Sequence, residues 1–471
     1  MKHRMWLAGA LLALLWTTPA MADNRFIVRS TLPSGVLRLF CVFQSCTVVG
    51  PLDGTLSQVF LLTTPSSIDA TIFLNLLRNT PGILDAELDQ LISLVGGLST
   101  VTKAPPALSD TAPVNYFGSA VWNGYANQPA ATIVHVQDAQ HTFHVVGQGV
   151  VADIDTGVDP NHPALKKVLL QGFDFTRNQS GGSEMTDFAA PAPPPCPNCQ
   201  PAIVNQSTAA VLDQSTAAVL DGNLQYAAFG HGTMVMGIIH LVAPRARLLP
   251  LKAFHSDGTG FLSDVLRAIY YAVQNNANVI NMSFDFNTPS TELTNALDYA
   301  NQLNVVCVAA SGNDGQGPPT LVYPAAVQSD VMGVASTSDL DTRSTFSNYG
   351  DAIVWVAAPG EAVVTTYPFS SYSAGWGTSF SAPFVAGGVA LMRNLQSQIN
   401  QSTAASAMAH AQFVGPMMGN GRLDLLMSLA ALPAGNDPSE SNVSVTSSSM
   451  KFGVGENKKF TFSAAPSRGF K

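Results

Sequence analysis

The pattern of apolar and polar positions alternates regularly between residues 117 and 432. Short, nearly continuous apolar runs are separated by segments in which apolar residues recur at helical spacing, as in residues 261–276. The apolar runs occupy residues 149–154, 247–254, 279–284, 305–310, 331–335 and 353–357. Such runs suit strands buried on both faces of a parallel sheet. The alternation therefore predicts an α/β domain with a mainly parallel central sheet over residues 117–432.

A smaller unit is predicted ahead of this domain, over residues 23–105. The pattern indicates strands at residues 25–31, 36–49 and 58–63 and a helix at residues 68–78. Cys41 and Cys46 fall within the second strand-like run, where a disulfide between them would close a hairpin. Residues 106–116, with Pro106, Pro113 and small polar residues, are predicted to be a linker.

Two further regions depart from the alternating pattern. Residues 177–226 contain a Pro-rich stretch and two tandem copies of Gln-Ser-Thr-Ala-Ala-Val-Leu-Asp, which favours a surface insertion. Cys196 and Cys199 lie in this insertion. Their spacing fits a redox pair, half of a zinc site or a local disulfide, and the disulfide is favoured. The second region, residues 433–471, is a Ser-rich C-terminal tail. The fifth cysteine, Cys307, lies in a predicted strand of the α/β domain and is expected to be a small core residue.

The composition excludes two classes of protein. The 471 residues are 46% hydrophobic and 11% charged, against about 25% charged in an average soluble domain, with a net charge of −9. An acidic chain lacks the clustered cations that displace phosphate counterions, so we expect no nucleic-acid partner. The chain is also too apolar and too weakly charged to be disordered.

The first 22 residues have the pattern of a cleaved export signal. Lys2 and Arg4 precede an apolar run at residues 5–16, and Ala20-Met21-Ala22 is a small-residue cleavage site. The run is too short for the roughly 20 apolar residues that span a bilayer, so an uncleaved anchor is the less favoured alternative. The prediction is a protein secreted to the extracellular space or periplasm and free of the membrane once residues 1–22 are removed.

Three short segments carry candidate chemistry. Asp155 follows an apolar strand in Asp155-Thr-Gly, His231 opens a helix in His231-Gly-Thr, and Ser379 follows glycines ahead of an apolar helix. Taken singly, each has another explanation: a turn or an aspartic-protease signature for Asp155, a structural imidazole for His231, and a helix cap for Ser379. Together they supply a nucleophile, a base and a carboxylate to orient it.

In this order and with these neighbours, the three segments resemble the subtilisin-like serine proteases (subtilases, peptidase family S8). Further blocks follow in family order at residues 242–244, 281–283, 310–315, 323–325, 346–350, 358–360 and 419–424. The resemblance covers residues 117–432 and implies a subtilisin-like three-layer α/β fold preceded by a small α+β prodomain. It also implies a serine endopeptidase that acts through an acyl-enzyme intermediate.

The resemblance assigns roles to individual residues. Ser379 would be the nucleophile, His231 the general base and Asp155 its orienting carboxylate. Asn313 would donate its amide to the oxyanion. The substrate-binding set would be Ser283, Phe284, Asp285, Ala309, Ala310, Ser311 and Gly312. No cofactor is implied for the chemistry.

Three residues depart from the family pattern. Asp153 replaces an aliphatic strand residue, so it would either repel Asp155 and raise one pKa or pair with a nearby donor. Asp285 stands where the family has glycine, so it either narrows the pocket or favours a basic substrate residue. Ala164 stands where many members have a calcium-binding Asp, which leaves a structural calcium in doubt and the metal ligands unknown.

The N-terminal unit and the alternatives to a protease complete the predicted function. The N-terminal unit resembles the family's inhibitory prodomain, so the protein would be a self-processed zymogen and a monomer that binds protein or peptide substrates. A catalytically silent subtilisin fold acting as a binding or surface module is the alternative. An aspartic protease is disfavoured, because a single Asp-Thr-Gly leaves His231 and Ser379 unexplained.

Overall fold

A computed structural model describes residues 23–94, 104–187 and 226–432, together with the backbone of residues 202–205. Its helices are α1 (Ser34–Gln44), α2 (Ala70–Arg78), α3 (Asn123–Ala126), α4 (Pro129–Ile133), α5 (Val136–Phe143), α6 (His231–Val242), α7 (Leu262–Gln274), α8 (Thr291–Gln302), α9 (Ala382–Leu395), α10 (Gln401–Met408) and α11 (Leu425–Ala430). Its strands are β1 (Asn24–Ser30), β2 (Thr47–Pro51), β3 (Val59–Thr64), β4 (Ile83–Leu88), β5 (Leu91–Ser93), β6 (Pro113–Tyr116), β7 (Ser119–Trp122), β8 (Val150–Asp155), β9 (Phe173–Asp174), β10 (Gln179–Ser180), β11 (Ala202–Asn205), β12 (Arg247–Lys252), β13 (Thr259–Phe261), β14 (Val279–Met282), β15 (Val306–Ala310), β16 (Val331–Thr337), β17 (Val356–Pro359), β18 (Val363–Tyr367) and β19 (Ser371–Trp376).

The central sheet has eight strands in the order β10-β9-β12-β8-β14-β15-β16-β17. Every neighbouring pair is parallel except β9 and β10 at one edge. Every residue of β14, β15 and β16 is buried, as the continuous apolar runs predict. The sheet confirms the predicted α/β fold.

Helices cover both faces of this sheet. Neighbouring strand residues divide between two cores: Val151 packs in the core that contains α6 and α9, and Ala152 in the core that contains α7 and α8. Successive side chains of a strand point to opposite faces, so the domain has three layers. Helices α6 and α9 approach closely at Gly387, where an added Cβ would lie 2.6 Å from Val242 Cβ.

The N-terminal unit (residues 24–94) is built on an antiparallel sheet in the order β2-β3-β1-β4, with α1 and α2 beside it. The predicted strand at residues 36–49 is wrong. Residues 34–44 form α1, in which Leu37 and Cys41 are buried one helical turn apart, whereas Val36, Leu39, Val42 and Phe43 are exposed. The Cys41–Cys46 disulfide joins the end of α1 to the start of β2, so it does not close a hairpin.

The two faces of the N-terminal sheet have different neighbours. Val28 packs against α1 and α2, whereas the adjacent Ile27 joins the core of the α/β domain that contains α7 and α8. Residues 106–116, predicted to be a linker, contain β6, and Leu108 and Tyr116 are buried in the other core. The N-terminal unit and the α/β domain therefore share a continuous apolar contact.

Several predictions lie outside the described residues. These concern the export signal at residues 1–22, the Cys196–Cys199 segment, the repeats at residues 206–221 and the tail at residues 433–471. Within the described part of the chain, Cys307 is buried and unpaired in β15, as predicted. No helix in that part is long and apolar enough to cross a membrane.

Candidate active site

Asp155 and His231 meet at the carboxyl end of the central sheet, where sites form in open α/β folds. Asp155 ends β8 and accepts a hydrogen bond from the Thr156 N–H at 2.6 Å. His231 is the first residue of α6, and its Nδ1 lies 2.7 Å from both carboxylate oxygens of Asp155. Since Nδ1 donates to the carboxylate, the neutral ring carries its lone pair on Nε2. Nε2 is buried without a partner among the described residues.

Ser379 lies in a single 3₁₀ turn, three residues before α9 begins at Ala382. Its side chain is almost buried, and its Oγ donates a hydrogen bond to the Ser283 carbonyl at 3.0 Å. No hydrogen bond joins Oγ to His231 Nε2 in this state. Catalytic hydrogen bonds are often unformed without substrate, and turning the hydroxyl away from Ser283 would free it for another acceptor.

Asn313 is held beside Ser379 through the residue that precedes it. Its Oδ1 accepts hydrogen bonds from the Thr378 N–H at 2.8 Å and from Thr378 Oγ1 at 3.0 Å. These two hydrogen bonds fix the orientation of the Asn313 amide. No described residue accepts a hydrogen bond from its Nδ2. The free Nδ2 therefore lies next to the serine as an unused donor.

Asp153 meets both expectations raised by the sequence. Burial and the charge of Asp155 raise its pKa well above the ordinary value. Its Oδ1 also accepts a hydrogen bond from Asn281 Nδ2 at 2.9 Å, across the β8–β14 register. Asn281 donates as well to Ser283 Oγ, which in turn donates to the Ser379 carbonyl. A buried polar network therefore runs from Asp153 to the serine.

Glu184 is a residue of this site that the sequence did not reveal. It is fully buried and accepts hydrogen bonds from Thr156 Oγ1 at 2.9 Å, from the Gly230 N–H at 2.8 Å and from Thr233 Oγ1. These donors flank Asp155 on one side and His231 on the other, so one carboxyl group joins the two turns. Burial raises the pKa of Glu184 to about 8. It lies in a Gly- and Ser-rich segment without a motif, so no sequence signal marks it.

The two threonine hydroxyls are oriented by backbone donors. Thr156 Oγ1 accepts the Gly232 N–H and Thr233 Oγ1 accepts the Asp159 N–H, so each hydroxyl directs its proton to Glu184. Lys252 supplies a buried positive charge nearby, since its Nζ donates to the Thr156 carbonyl at 2.9 Å. The three hydrogen bonds and the charge of Lys252 lower the pKa of Glu184, but the larger effect of burial leaves that pKa raised.

The predicted substrate-binding residues lie on two neighbouring segments with different degrees of access. Ala309, Ala310 and Ser311 are buried at the end of β15. Phe284 is also buried and packs against Phe254, with ring centroids 5.1 Å apart. Asp285 is half-buried, and its Oδ2 would lie 2.9 Å from a Cβ added to Gly312. Of the predicted set, Asp285 thus brings a charged group to the place where the two segments meet.

The sequence left a structural metal undecided. Ala164 is buried in the apolar core next to α6. Across the described ranges, no group of three or more His, Cys, Asp or Glu side chains is arranged to hold a metal ion.

The fold and this arrangement of side chains suit a serine hydrolase, and comparison with known proteins shows the family to which the chain belongs. The model of the subtilase family matches residues 147–455. Thermitase from Thermoactinomyces vulgaris is 33% identical over 246 residues, which cover 51% of this chain and 74% of thermitase. The thermophilic serine proteinase of Bacillus sp. (strain AK1) is 32% identical over 308 residues, or 63% of this chain and 67% of that proteinase.

A solved lanthipeptide protease has a similar fold, with a TM-score of 0.51 and 21% identity over 65% of this chain and 95% of its own. The family match shows that the chain belongs to the subtilase family. It is accordingly a serine endopeptidase whose substrates are peptides or proteins, and the family needs no cofactor for catalysis.

Proposed function

We propose that the protein is a secreted endopeptidase, made as a self-processed zymogen, that uses Ser379, His231 and Asp155 as its catalytic triad. The observation that carries this proposal is the Asp155–His231 contact of 2.7 Å. Near it, a hydrogen bond from the Thr378 N–H holds Asn313 next to Ser379. A carboxylate on Nδ1 leaves Nε2 as the basic nitrogen, which is what a serine nucleophile requires. His231 Nε2 has no competing partner among the described residues.

The reaction follows from these positions. Ser379 Oγ turns from the Ser283 carbonyl to His231 Nε2, gives up its proton and attacks the substrate carbonyl carbon. The carbonyl oxygen becomes an oxyanion that accepts hydrogen bonds from Asn313 Nδ2 and the Ser379 N–H. His231, now positively charged and stabilised by Asp155, protonates the leaving amine. Water then hydrolyses the acyl-enzyme by the same steps in reverse.

The N-terminal unit is proposed to be the inhibitory prodomain. Its contacts with the α/β domain support this role, because they are specific and charged. Arg29 makes a bidentate ion pair with Glu292 of α8, at 2.7–3.1 Å. Glu87 accepts hydrogen bonds from Ser290 Oγ and the Thr291 N–H at the start of α8. β5 pairs with β13, which extends the contact toward α7.

Secretion is proposed from the charged, apolar and small-residue order of the first 22 residues. Export before activation suits a protease, because an enzyme held by its own N-terminal unit spares the proteins of its host. Removal of the N-terminal unit by Ser379 itself would then release activity outside the cell. Silencing Ser379 should therefore prevent both peptide hydrolysis and maturation.

The experiment is the Ser379→Ala substitution in the full-length chain. We expect casein hydrolysis to fall by about 10⁶, the order seen when a triad nucleophile is removed, and the precursor to remain uncut. Asp138→Asn on the exposed face of α5 is the control and should mature and hydrolyse casein normally. A Ser379→Ala chain that matures and cleaves casein normally would refute the proposal. Lack of hydrolysis by the unaltered chain would favour a silent subtilisin fold.

A further inference from the structure

Asp285 places a carboxylate beside Gly312, another residue of the predicted substrate-binding set. Its Oδ2 would lie 2.9 Å from a Cβ added to Gly312, and Gly312 immediately precedes Asn313. The Gly312 N–H donates to Thr378 Oγ1 at 3.2 Å, and Thr378 immediately precedes Ser379. The carboxylate is therefore next to the segment that joins the proposed oxyanion donor to the proposed nucleophile.

This carboxylate has no partner of its own within the described residues. No donor hydrogen-bonds to it, and neither Lys nor Arg forms an ion pair with it or with Asp314. The charged group that acts on Asp285 is Asp314, which has the same sign. Two neighbouring negative charges without a cation leave a strong negative potential in the cleft.

A second side chain is left unpaired at the same place. Asn348 is fully buried, and its Oδ1 accepts hydrogen bonds from the N–H groups of Asp314 and Gln316. Its Nδ2 has no partner among the described residues and would lie 2.4 Å from the Cβ added to Gly312. Asn348 thus fixes the Asp314 loop and directs a neutral donor to the point where Asp285 lies. A neutral amide does not cancel the two carboxylate charges.

Resting on the proposed function, we propose that Asp285, assisted by Asp314, makes this enzyme cleave preferentially after arginine or lysine. A guanidinium or ammonium group in the cleft would supply the cation that the described residues do not, and arginine can bind a carboxylate through two parallel hydrogen bonds. The residue before the cut must lie beside Asn313 and Ser379, because its carbonyl is the one attacked. Its side chain is therefore the part of the substrate within reach of Asp285.

The competing role for Asp285 is to narrow the cleft so that only small residues fit. Two observations favour the charge role. Asp285 is half-buried rather than packed in the core, unlike its neighbour Phe284. The facing residue is Gly312 in a left-handed conformation (φ +94°), which contributes no side chain of its own opposite the carboxylate.

The charge role also has a distinctive pH dependence. Burial and the charge of Asp314 raise the pKa of Asp285 to about 7. Without a basic substrate residue, the carboxyl group is therefore largely protonated below that pH and ionised above it. The preference for arginine should be weak near pH 6 and strong near pH 8. The titratable group that faces Asp285 is Asp314, which is exposed.

The test uses the matured enzyme and quenched peptides that differ only in the residue before the cut: Arg, Lys, Leu, Ala or Glu. We expect kcat/KM for Arg and Lys to exceed that for Leu by about tenfold or more at pH 8, with Glu the poorest. Asp285→Asn should lower kcat/KM for Arg by about ten- to a hundredfold while the value for Leu stays within about threefold. The Arg/Leu ratio should rise from pH 6 to pH 8 in the parent and stay flat in Asp285→Asn.

Two variants complete the design. Asp138→Asn removes an exposed carboxylate on α5 and should leave the whole substrate profile unchanged. Asp314→Asn should lower the Arg/Leu ratio by only a few-fold, because Asp314 is exposed and screened by solvent. Retained Leu cleavage in Asp285→Asn shows that this variant folds.

The outcomes separate this inference from the function on which it rests. An active enzyme that prefers Leu or Ala over Arg overturns the role of Asp285 and leaves the endopeptidase proposal standing. An unchanged Arg/Leu ratio in Asp285→Asn overturns it as well, even if the parent prefers Arg. Failure to cleave any peptide of the set, together with failure to cleave casein, overturns both.

Discussion

The two sides of the candidate site differ in how their polar groups are satisfied. On the side of Asp155, hydrogen bonds within the protein occupy two carboxyl groups: Asp155 accepts from His231, and Glu184 accepts three bonds from its neighbours. On the cleft side, the described residues leave the Asn313 Nδ2 and the Asp285 carboxylate without partners. His231 Nε2 lies between the two sides and is also free.

This difference separates groups that hold the machinery from groups that meet a substrate. An unpaired polar group in a cleft is costly unless a ligand completes it, so the free groups mark where a peptide would supply its carbonyl oxygen, its leaving amine and a basic side chain. Paired groups act instead through geometry. Substitutions on the two sides should therefore change different kinetic parameters.

The largest effect expected on the cleft side, after loss of Ser379 itself, is that of Asn313→Ala. Removing one oxyanion donor should lower kcat by about 10²–10³ and leave KM nearly unchanged, because the amide binds the oxyanion more strongly than the substrate carbonyl. Steady-state kinetics on a single peptide measures both parameters. A large rise in KM with unchanged kcat would assign Asn313 to ground-state binding and contradict its role here.

A smaller effect is expected on the paired side from Glu184→Gln. The amide cannot accept all three bonds, so the Asp155 and His231 turns should shift and kcat should fall by about 10–100-fold, in line with the cost of a misplaced catalytic group. The Arg/Leu preference should be retained, because Asp285 is unaffected. Circular dichroism and the Asp138→Asn control distinguish a local shift from unfolding. Full kcat in Glu184→Gln would show that the carboxylate does not position the triad.

The smallest expected effect is a pH dependence in the docking of the N-terminal unit, which involves Glu87. This carboxyl group accepts hydrogen bonds from the neutral groups of Ser290 and Thr291, and no described cation forms an ion pair with it. Burial raises its pKa to about 7 from an ordinary 4.5. A group whose pKa is raised on docking favours the docked state at low pH, and its contribution is lost as the pH rises through about 7. Docking of the N-terminal unit should therefore loosen severalfold between pH 5.5 and pH 8.

Hydrogen exchange of residues 24–94 in the uncut Ser379→Ala chain, corrected for intrinsic rates, measures this change. Glu87→Gln, which stays neutral, should remove the pH dependence while keeping the unit docked. Protection that increases toward pH 8 would mean that another group governs docking.

The sequence predicted the elements of the site whose residues are adjacent in the chain. Asp155 ends an apolar strand, whereas His231 and Ser379 stand at the start of apolar helices, and each lies in a short motif, so local pattern and motif order singled them out. The helix α1 was missed because its exposed apolar residues, among them Val42 and Phe43, imitate a buried strand. Helical spacing of Leu37 and Cys41 was the signal available.

The supporting contacts were not predictable, because they depend on sheet order and on tertiary packing. Asp153 meets Asn281 only because β14 pairs with β8, although β12 lies between them in the chain. Glu184 lies 47 residues from His231 in sequence and reaches it through the Gly230 backbone and Thr233. No periodicity or motif reports contacts of this kind.

We propose that His231 activates Ser379 in a site formed within this chain. A fluorophosphonate that reacts with activated serines, followed by mass spectrometry of the modified peptide, tests it most directly. We predict one modified residue, Ser379, with labelling lost in His231→Ala and retained in Asp138→Asn. Labelling at another serine, or no labelling of a matured and folded chain, would show that His231 does not activate Ser379.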